Sequence, residues 1–354
     1  MKQIYALLLF ITSISFAQQP YYDGFDFSQT GDVLKSNLGQ LIDNDASTTY
    51  TYGDVRDDFL IMELDPNDNT DSNVLLTYGY VNTLSCTSGQ TDRRIRDKND
   101  FGGNTCEYNR EHVFARSNAD PTMGDVSNGD TGIAADPHNL RATDVQRNGE
   151  RGSRKFGEDT NDPSASGVLG NGDYYPGNEW KGDIARIMMY MYTRYGDRCL
   201  PELNANGAKQ GTTDMLQILL EWNAEDPVSP IEDARNNQLE IVYENRNPFI
   251  DNPYLATVIW GGPAAEDRWG TLSSTSNELN QFNIYPNPTQ SDVTVQLKSP
   301  QRTTIEVYDI LGKKVLQKVI YNSGKIETSR LKSGVYILKI RQGTSEVNKR
   351  LVKR

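Results

Sequence analysis

Two histidines are all the chain has, His112 and His138. Imidazole ordinarily titrates near pH ~6.5 and can take up a proton under neutral conditions, so a hydrolase built on a nitrogen base has two candidates. Both fall in one region: Asn109-Arg110-Glu111-His112-Val113-Phe114, a loop rich in Gly, Asp and Asn, then Asp136-Pro137-His138-Asn139-Leu140-Arg141. Asn148 and Arg151 follow closely. Glu111 and Asn148 offer two hard oxygen ligands, too few to cage a cation but suited to one that keeps most of its waters. Zinc chemistry is not indicated, because H-E-x-x-H is absent and Cys86, Cys106 and Cys199 form no paired cluster. Arg141, Arg147, Arg151, Arg154 and Lys155 stand against Asp144 and Glu150. That cationic patch is where a phosphate would be held. His138, beside Pro137, reads better as a structural hydrogen-bonder than as a second base.

The elements that must position these groups are partly legible. Strand alternation puts His112 on the opposite face from Glu111 unless the backbone twists, so metal and base could flank a phosphate from two sides. Thr143 with Gln146 makes a capping box, which predicts a helix carrying Asn148 on its first turns. Apolar spacing predicts helices over 31–42, 184–195, 213–223 and 231–243. Phe59 to Leu64 and Val74 to Tyr80 read as an apolar strand pair around the acidic segment Asp65 to Asn73. That segment lacks the glycine and closing glutamate of an EF-hand and reads as a solvated hairpin loop, with an accessory Ca²⁺ site as the alternative.

At the N-terminus Lys2, the apolar run Ile4 to Phe16 and the small-x-small site Ser15-Phe16-Ala17 read as an export signal over residues 1–17. The apolar run falls short of the ~20 residues needed to span a bilayer. Export permits disulfides; Cys86 with Cys106 is the favoured pair, leaving Cys199 as a thiol. With 36 % hydrophobic residues and 24 % charged, the chain can build cores, and wholesale disorder is excluded. Residues 283–354 hold 14 Lys and Arg against 5 Asp and Glu, net +9. The first 282 residues hold 22 against 43, net −21, so the chain is electrically two objects. The acidic body argues against holding nucleic acid by bulk electrostatics, though not against a local cationic cleft.

At Glu111-His112, Asp136 to Leu140 and Asn148 to Arg151 the chain resembles the bacterial endonuclease I family of exported, sequence-nonspecific nucleases. Lys181 to Arg186 before a Met/Tyr helix and Asn245 to Asp251 are similar to later family blocks, so the likeness runs over about residues 25–262. It implies an α+β fold in which a ββα-metal (His-Me) finger holds the centre. It also implies His112 as general base, Glu111 and Asn148 as ligands of a divalent ion (Mg²⁺ first, Ca²⁺ or Mn²⁺ otherwise), and a phosphate-stabilising arginine placed at Arg151 or Arg141. DNA or RNA would be the substrate, cut to leave 5′-phosphate ends.

A polar linker, 271–283, separates this body (18–270) from a tail (284–354) whose short alternating strands suggest a small antiparallel β-sandwich. The tail resembles the C-terminal sorting domain of type IX secretion through Tyr285-Pro286-Asn287-Pro288, Val307 to Lys313, Ser333-Gly334-Val335-Tyr336 and the basic end Lys349 to Arg354. That resemblance implies the outer-membrane secretion machinery as partner and an extracellular or cell-surface destination. The rival readings are a surface adhesion protein on an inactive nuclease fold, and a carbohydrate- or matrix-binding tail.

Overall fold

The computed structural model describes residues 18–83, 85–87, 92–159, 164–270, 282–297, 302–309, 312–342 and 345–354. The expected signal segment 1–17 lies outside the described residues, as does 271–281 of the expected linker. The chain divides into two compact units between Trp269 and Gly270.

In the first unit the order is α1 (Gly31–Asp45), α2 (Tyr52–Met62), β1 (Asn73–Leu75), β2 (Ile95–Asp97), β3 (Tyr108–His112), β4 (Leu140–Asp144), α3 (Val145–Arg151), β5 (Gly167–Val168), β6 (Tyr174–Tyr175), α4 (Lys181–Tyr195), α5 (Pro201–Asn204), α6 (Gln217–Glu225), α7 (Pro230–Tyr243), α8 (Pro248–Asp251) and α9 (Tyr254–Trp260). Among the described residues the strands of this unit pair in twos. The helix α4 is buried along most of its length, and Ile184, Met188, Met191 and their neighbours form the main core with Leu34, Leu38 and Ile42 of α1 and Leu219 and Trp222 of α6. The apolar stripe that predicts this helix is therefore core.

Four expectations need correction. Phe59 to Leu64 is not a strand: α2 starts from a complete capping box of Thr51 and Asp54, and Val55, Phe59 and Met62 are buried at helical spacing. Leu60 and Ile61, which make the run look continuously apolar, face solvent at 39 % and 57 % exposure. Its expected partner shortens to β1, which pairs antiparallel with β2. The third is the cap of α3, which is Asp144, whose carboxylate accepts from the Gln146 and Arg147 amides. Thr143 is the fourth residue of β4, and the side chains of Thr143 and Gln146 make no hydrogen bond. A helix over 213–223 begins later, at Gln217.

The acidic segment after α2 is closed on itself. Asp68 accepts from the backbone amides of Thr70, Ser72 and Asn73, and Asp65 from Asn67, so these carboxylates already have donors. Cys86 and Cys106 form the favoured disulfide, and Cys199 is a buried thiol.

The second unit holds β7 (Phe282–Tyr285), β8 (Asp292–Leu297), β9 (Thr303–Tyr308), β10 (Lys314–Ile320), β11 (Gly324–Glu327), β12 (Gly334–Gln342) and β13 (Ser345–Lys353). They form two antiparallel sheets in the orders β11-β8-β7 and β10-β9-β12-β13. Alternate residues of both sheets, among them Val293, Val295, Ile305, Val307, Leu338 and Ile340, share one apolar cluster.

Candidate active site

The centre is built on β3, β4 and α3, a short antiparallel pair followed at once by a helix. Glu111 lies opposite Arg141, and His112 opposite Leu140. The end of β3 is held by buried amides: Asn139 bonds both backbone groups of Phe114, and the Asn204 side chain donates to the Val113 carbonyl and accepts from the Ala115 amide. Beside this strand end opens a cleft of about 520 Å³, lined by Tyr52, Arg110, Glu111, His112, Arg116, Asn148 and Arg151, together with loop residues such as Ser117, Thr122 and Gly124.

Glu111 and His112 both line the cleft. Glu111 turns inward, where its Oε1 accepts from the Tyr78 hydroxyl at 3.0 Å and faces Arg151 Nη1 at 3.2 Å. Tyr78 adopts φ 70°, a left-handed conformation costly for an aromatic residue, to deliver that hydroxyl. Burial pushes the Glu111 carboxyl up to about 7 against the pull of Arg151 and Tyr78. Its Oε2 has no hydrogen-bond partner among the described residues. His112 turns outward: Nε2 lies 2.8 Å from the Ala134 carbonyl, and the ring stacks on Tyr52. A carbonyl only accepts, so Nε2 carries the hydrogen and Nδ1 is the basic nitrogen. Burial, assisted by Arg116, Arg110 and Arg151, brings His112 down to about 4, which keeps the ring neutral at pH 7.

Asn148 spends its amide nitrogen on Asn109 Oδ1 (2.8 Å) and the Arg110 carbonyl (3.3 Å), leaving its oxygen as the unused atom. Glu111 and Asn148 thus each bring one hard oxygen to the cleft, a donor set that fits a hydrated Mg²⁺ or Ca²⁺. No group of three or more His, Cys, Asp or Glu side chains suited to a metal occurs among the described residues.

The two arginine candidates separate. Arg151 lines the cleft, but its guanidinium is committed: Nη1 donates to the His112 carbonyl at 3.0 Å, Nη2 to the Val113 carbonyl at 2.7 Å and to Asn204 Oδ1 at 3.2 Å. Arg141 is not in the cleft at all. Its Nε donates to Glu63 and its Nη1 to Asp183, each at 3.0 Å, in the interior below β4. The physical reason is charge pairing: two buried carboxylates claim it before any solvent-borne phosphate could. His138 is also buried elsewhere, against Tyr190 and Tyr243, with its Nε2 meeting no hydrogen-bond partner among the described residues. Arg186 and Arg246 serve Glu232 and Asp251.

Tyr52, Arg110 and Arg116 are cleft residues that the sequence reading did not single out. Arg110 adjoins the Glu-His pair and shares its strand face with His112, a signal available in the spacing. Tyr52 lies 60 residues away in sequence and left none. Arg116 has its side chain about one-third exposed, donates to the Gly124 carbonyl and sits 3.6 Å from the fully exposed Asp125.

One cleft thus gathers an imidazole with Nδ1 unbonded, a carboxylate and an amide that each keep an oxygen without a hydrogen-bond partner, and the three arginines Arg110, Arg116 and Arg151. The chain belongs to the endonuclease I family, whose model matches residues 30–254; a secretion-system C-terminal sorting domain model matches residues 283–354. The extracellular ribonuclease of Bacillus subtilis (strain 168) is 37 % identical over 256 residues, covering 68 % of this chain and 78 % of that protein. The extracellular ribonuclease of Bacillus amyloliquefaciens is 36 % identical over 248 residues, covering 66 % and 75 %. This is a nuclease, an enzyme that hydrolyses phosphodiester bonds, and a secreted or cell-surface one.

Proposed function

We propose that the enzyme is a divalent-metal-dependent, largely sequence-nonspecific endonuclease acting on RNA and DNA. The observation that carries this is the division of labour at the end of β3: a neutral His112 with Nδ1 unbonded stands beside Glu111 Oε2 and the Asn148 amide oxygen on one cleft. In this reading His112 Nδ1 takes a proton from water as its oxygen attacks phosphorus. The P–O3′ bond breaks, the 3′ oxygen takes up a proton, and the phosphate stays on the 5′ end. Glu111 and Asn148 would hold the divalent cation, Mg²⁺ in first place and Ca²⁺ or Mn²⁺ otherwise, which when bound would supply positive charge to offset the charge that develops at the phosphate and the leaving oxygen. Tyr78 and Arg151 hold Glu111 so that one oxygen stays available. Arg116, the less committed guanidinium on the rim, faces the substrate phosphate, and Arg151 fixes the backbone that carries base and ligand.

RNA enters the substrate range because the relatives are extracellular ribonucleases. The β-β-α order supports a His-Me finger, and the two sheets of the tail support a β-sandwich that acts as the export address. The test is cleavage by purified protein of single- and double-stranded DNA and RNA with Mg²⁺, Ca²⁺, Mn²⁺ or EDTA, followed by end-group analysis. Activity that EDTA leaves intact, or 3′-phosphate ends, refutes the reading. Total inactivity of a folded protein on all four substrates favours the adhesion alternative.

A further inference from the structure

One hydrogen bond to Ala134 does not orient an imidazole. A ring attached at Cβ and pinned at Nε2 can still swing about the line joining those atoms, and that swing carries Nδ1 off the attack line. What stops it here comes from another part of the chain. The Tyr52 ring lies against the His112 ring with centroids 5.6 Å apart and planes 20° from parallel. On Tyr52 the Arg110 guanidinium also stacks, 3.5 Å from the ring centroid, and it donates to the Tyr52 carbonyl and, at 3.0 Å, to Asn128 Oδ1.

Tyr52 is itself docked. Its amide donates to the Asp130 carbonyl at 2.9 Å, and the next amide, Gly53, to the Asn128 carbonyl at 2.8 Å. Glycine is required at 53, since a Cβ there would meet that carbonyl at 2.9 Å. The loop that seats Tyr52 runs on to Ala134, the residue that holds Nε2. One loop therefore governs both restraints on the ring. The Tyr52 hydroxyl has no hydrogen-bond partner among the described residues, so the aromatic face is the part in use.

We propose that Tyr52, clamped by Arg110, is a positioning residue that fixes the plane of the His112 imidazole and so aims Nδ1. This deepens the nuclease reading and rests on His112 being the base. The full chain is assayed for kcat and KM on a defined oligonucleotide at saturating metal. Tyr52→Leu keeps apolar bulk and loses the flat face; kcat falls about 10- to 100-fold, the scale of a base misplaced by about 1 Å, while KM stays within about threefold. Tyr52→Phe restores most of that loss.

A second measurement is independent of the fold of Tyr52→Leu. In His112→Gly, added imidazole is expected to restore cleavage, with half-restoration at a lower imidazole concentration when Tyr52 is present than when Tyr52→Met is combined with it. Three results overturn the proposal: a Tyr52→Leu enzyme with unchanged kcat, a change confined to KM (a substrate contact instead), or imidazole restoration indifferent to residue 52. Failure of the underlying reading looks different, because His112→Ala would then retain activity whatever stands at 52.

Discussion

Replacing Arg141 by Met separates its two assignments, phosphate contact and interior counter-ion. Six buried charges alternate in a chain: Arg235, Glu63, Arg141, Asp183, Arg186 and Glu232, linked by contacts of 2.6, 3.0, 3.0, 3.5 and 2.6 Å. By formal charge the set balances, three arginines against three carboxyl groups, and no member's side chain is more than 4 % exposed. Without Arg141 it breaks into a neutral Arg235–Glu63 pair and an Asp183–Arg186–Glu232 group of net −1. Removing one partner of a buried pair costs about 3–5 kcal/mol, and at about 2–4 °C per kcal/mol for a body of this size the midpoint falls by about 6–20 °C.

The sign of the pH dependence follows from Asp183, which burial and Glu232 already hold well above the usual carboxylate range, against Arg141 and Arg186. In the variant Asp183 binds a proton more readily in the folded state than in the unfolded one, so the variant gains stability as pH falls, and its deficit is larger at pH 8 than at pH 5.5. All four tryptophans, Trp180, Trp222, Trp260 and Trp269, belong to the first unit, so thermal unfolding followed by tryptophan fluorescence reads that unit alone. Activity measured well below the midpoint stays within about threefold of wild type. An unchanged midpoint together with a kcat loss above tenfold would refute the interior assignment and return Arg141 to the phosphate.

His112→Ala lowers kcat by about 10²- to 10⁴-fold with little change in melting, whereas His138→Ala acts through stability; a folded, inactive His138→Ala would mean the wrong histidine has been assigned. Glu111→Gln and Asn148→Ala each raise the metal concentration for half-activation, read by titration from an EDTA-stripped enzyme, and unchanged titrations would place the ion elsewhere. Because Glu111 titrates at about 7 and a cation requires its ionised form, half-activation in wild type shifts to higher metal by about tenfold per pH unit below that point. A flat dependence between pH 5 and 7 would remove Glu111 from the site. Truncation after Gly270 leaves nuclease activity in vitro and abolishes export in the native host, checked by assaying medium against periplasm; wild-type secretion would disprove the sorting role.

The sequence determined what depends on local order. Glu111 and His112 are adjacent, Asn148 and Arg151 share one short helix, and the α4 stripe repeats at 3.6 residues, so these were readable in one dimension. The charge split at residue 283 likewise marked two bodies without any fold. Tertiary structure decided everything that rests on partners distant in the chain. Arg141 and Arg151 look equivalent in a basic stretch, yet Glu63 and Asp183 take one inward while the carbonyls of His112 and Val113 take the other. Phe59 to Leu64 reads as a strand until burial shows which half of the run faces the core. Tyr52 becomes part of the site only because a loop 76 residues further on folds beneath it, and Tyr78 only because its backbone tolerates a positive φ. Side-chain chemistry is local, whereas burial and charge pairing are properties of the packed chain, and they alone set which arginine is turned into the interior and which lines the cleft.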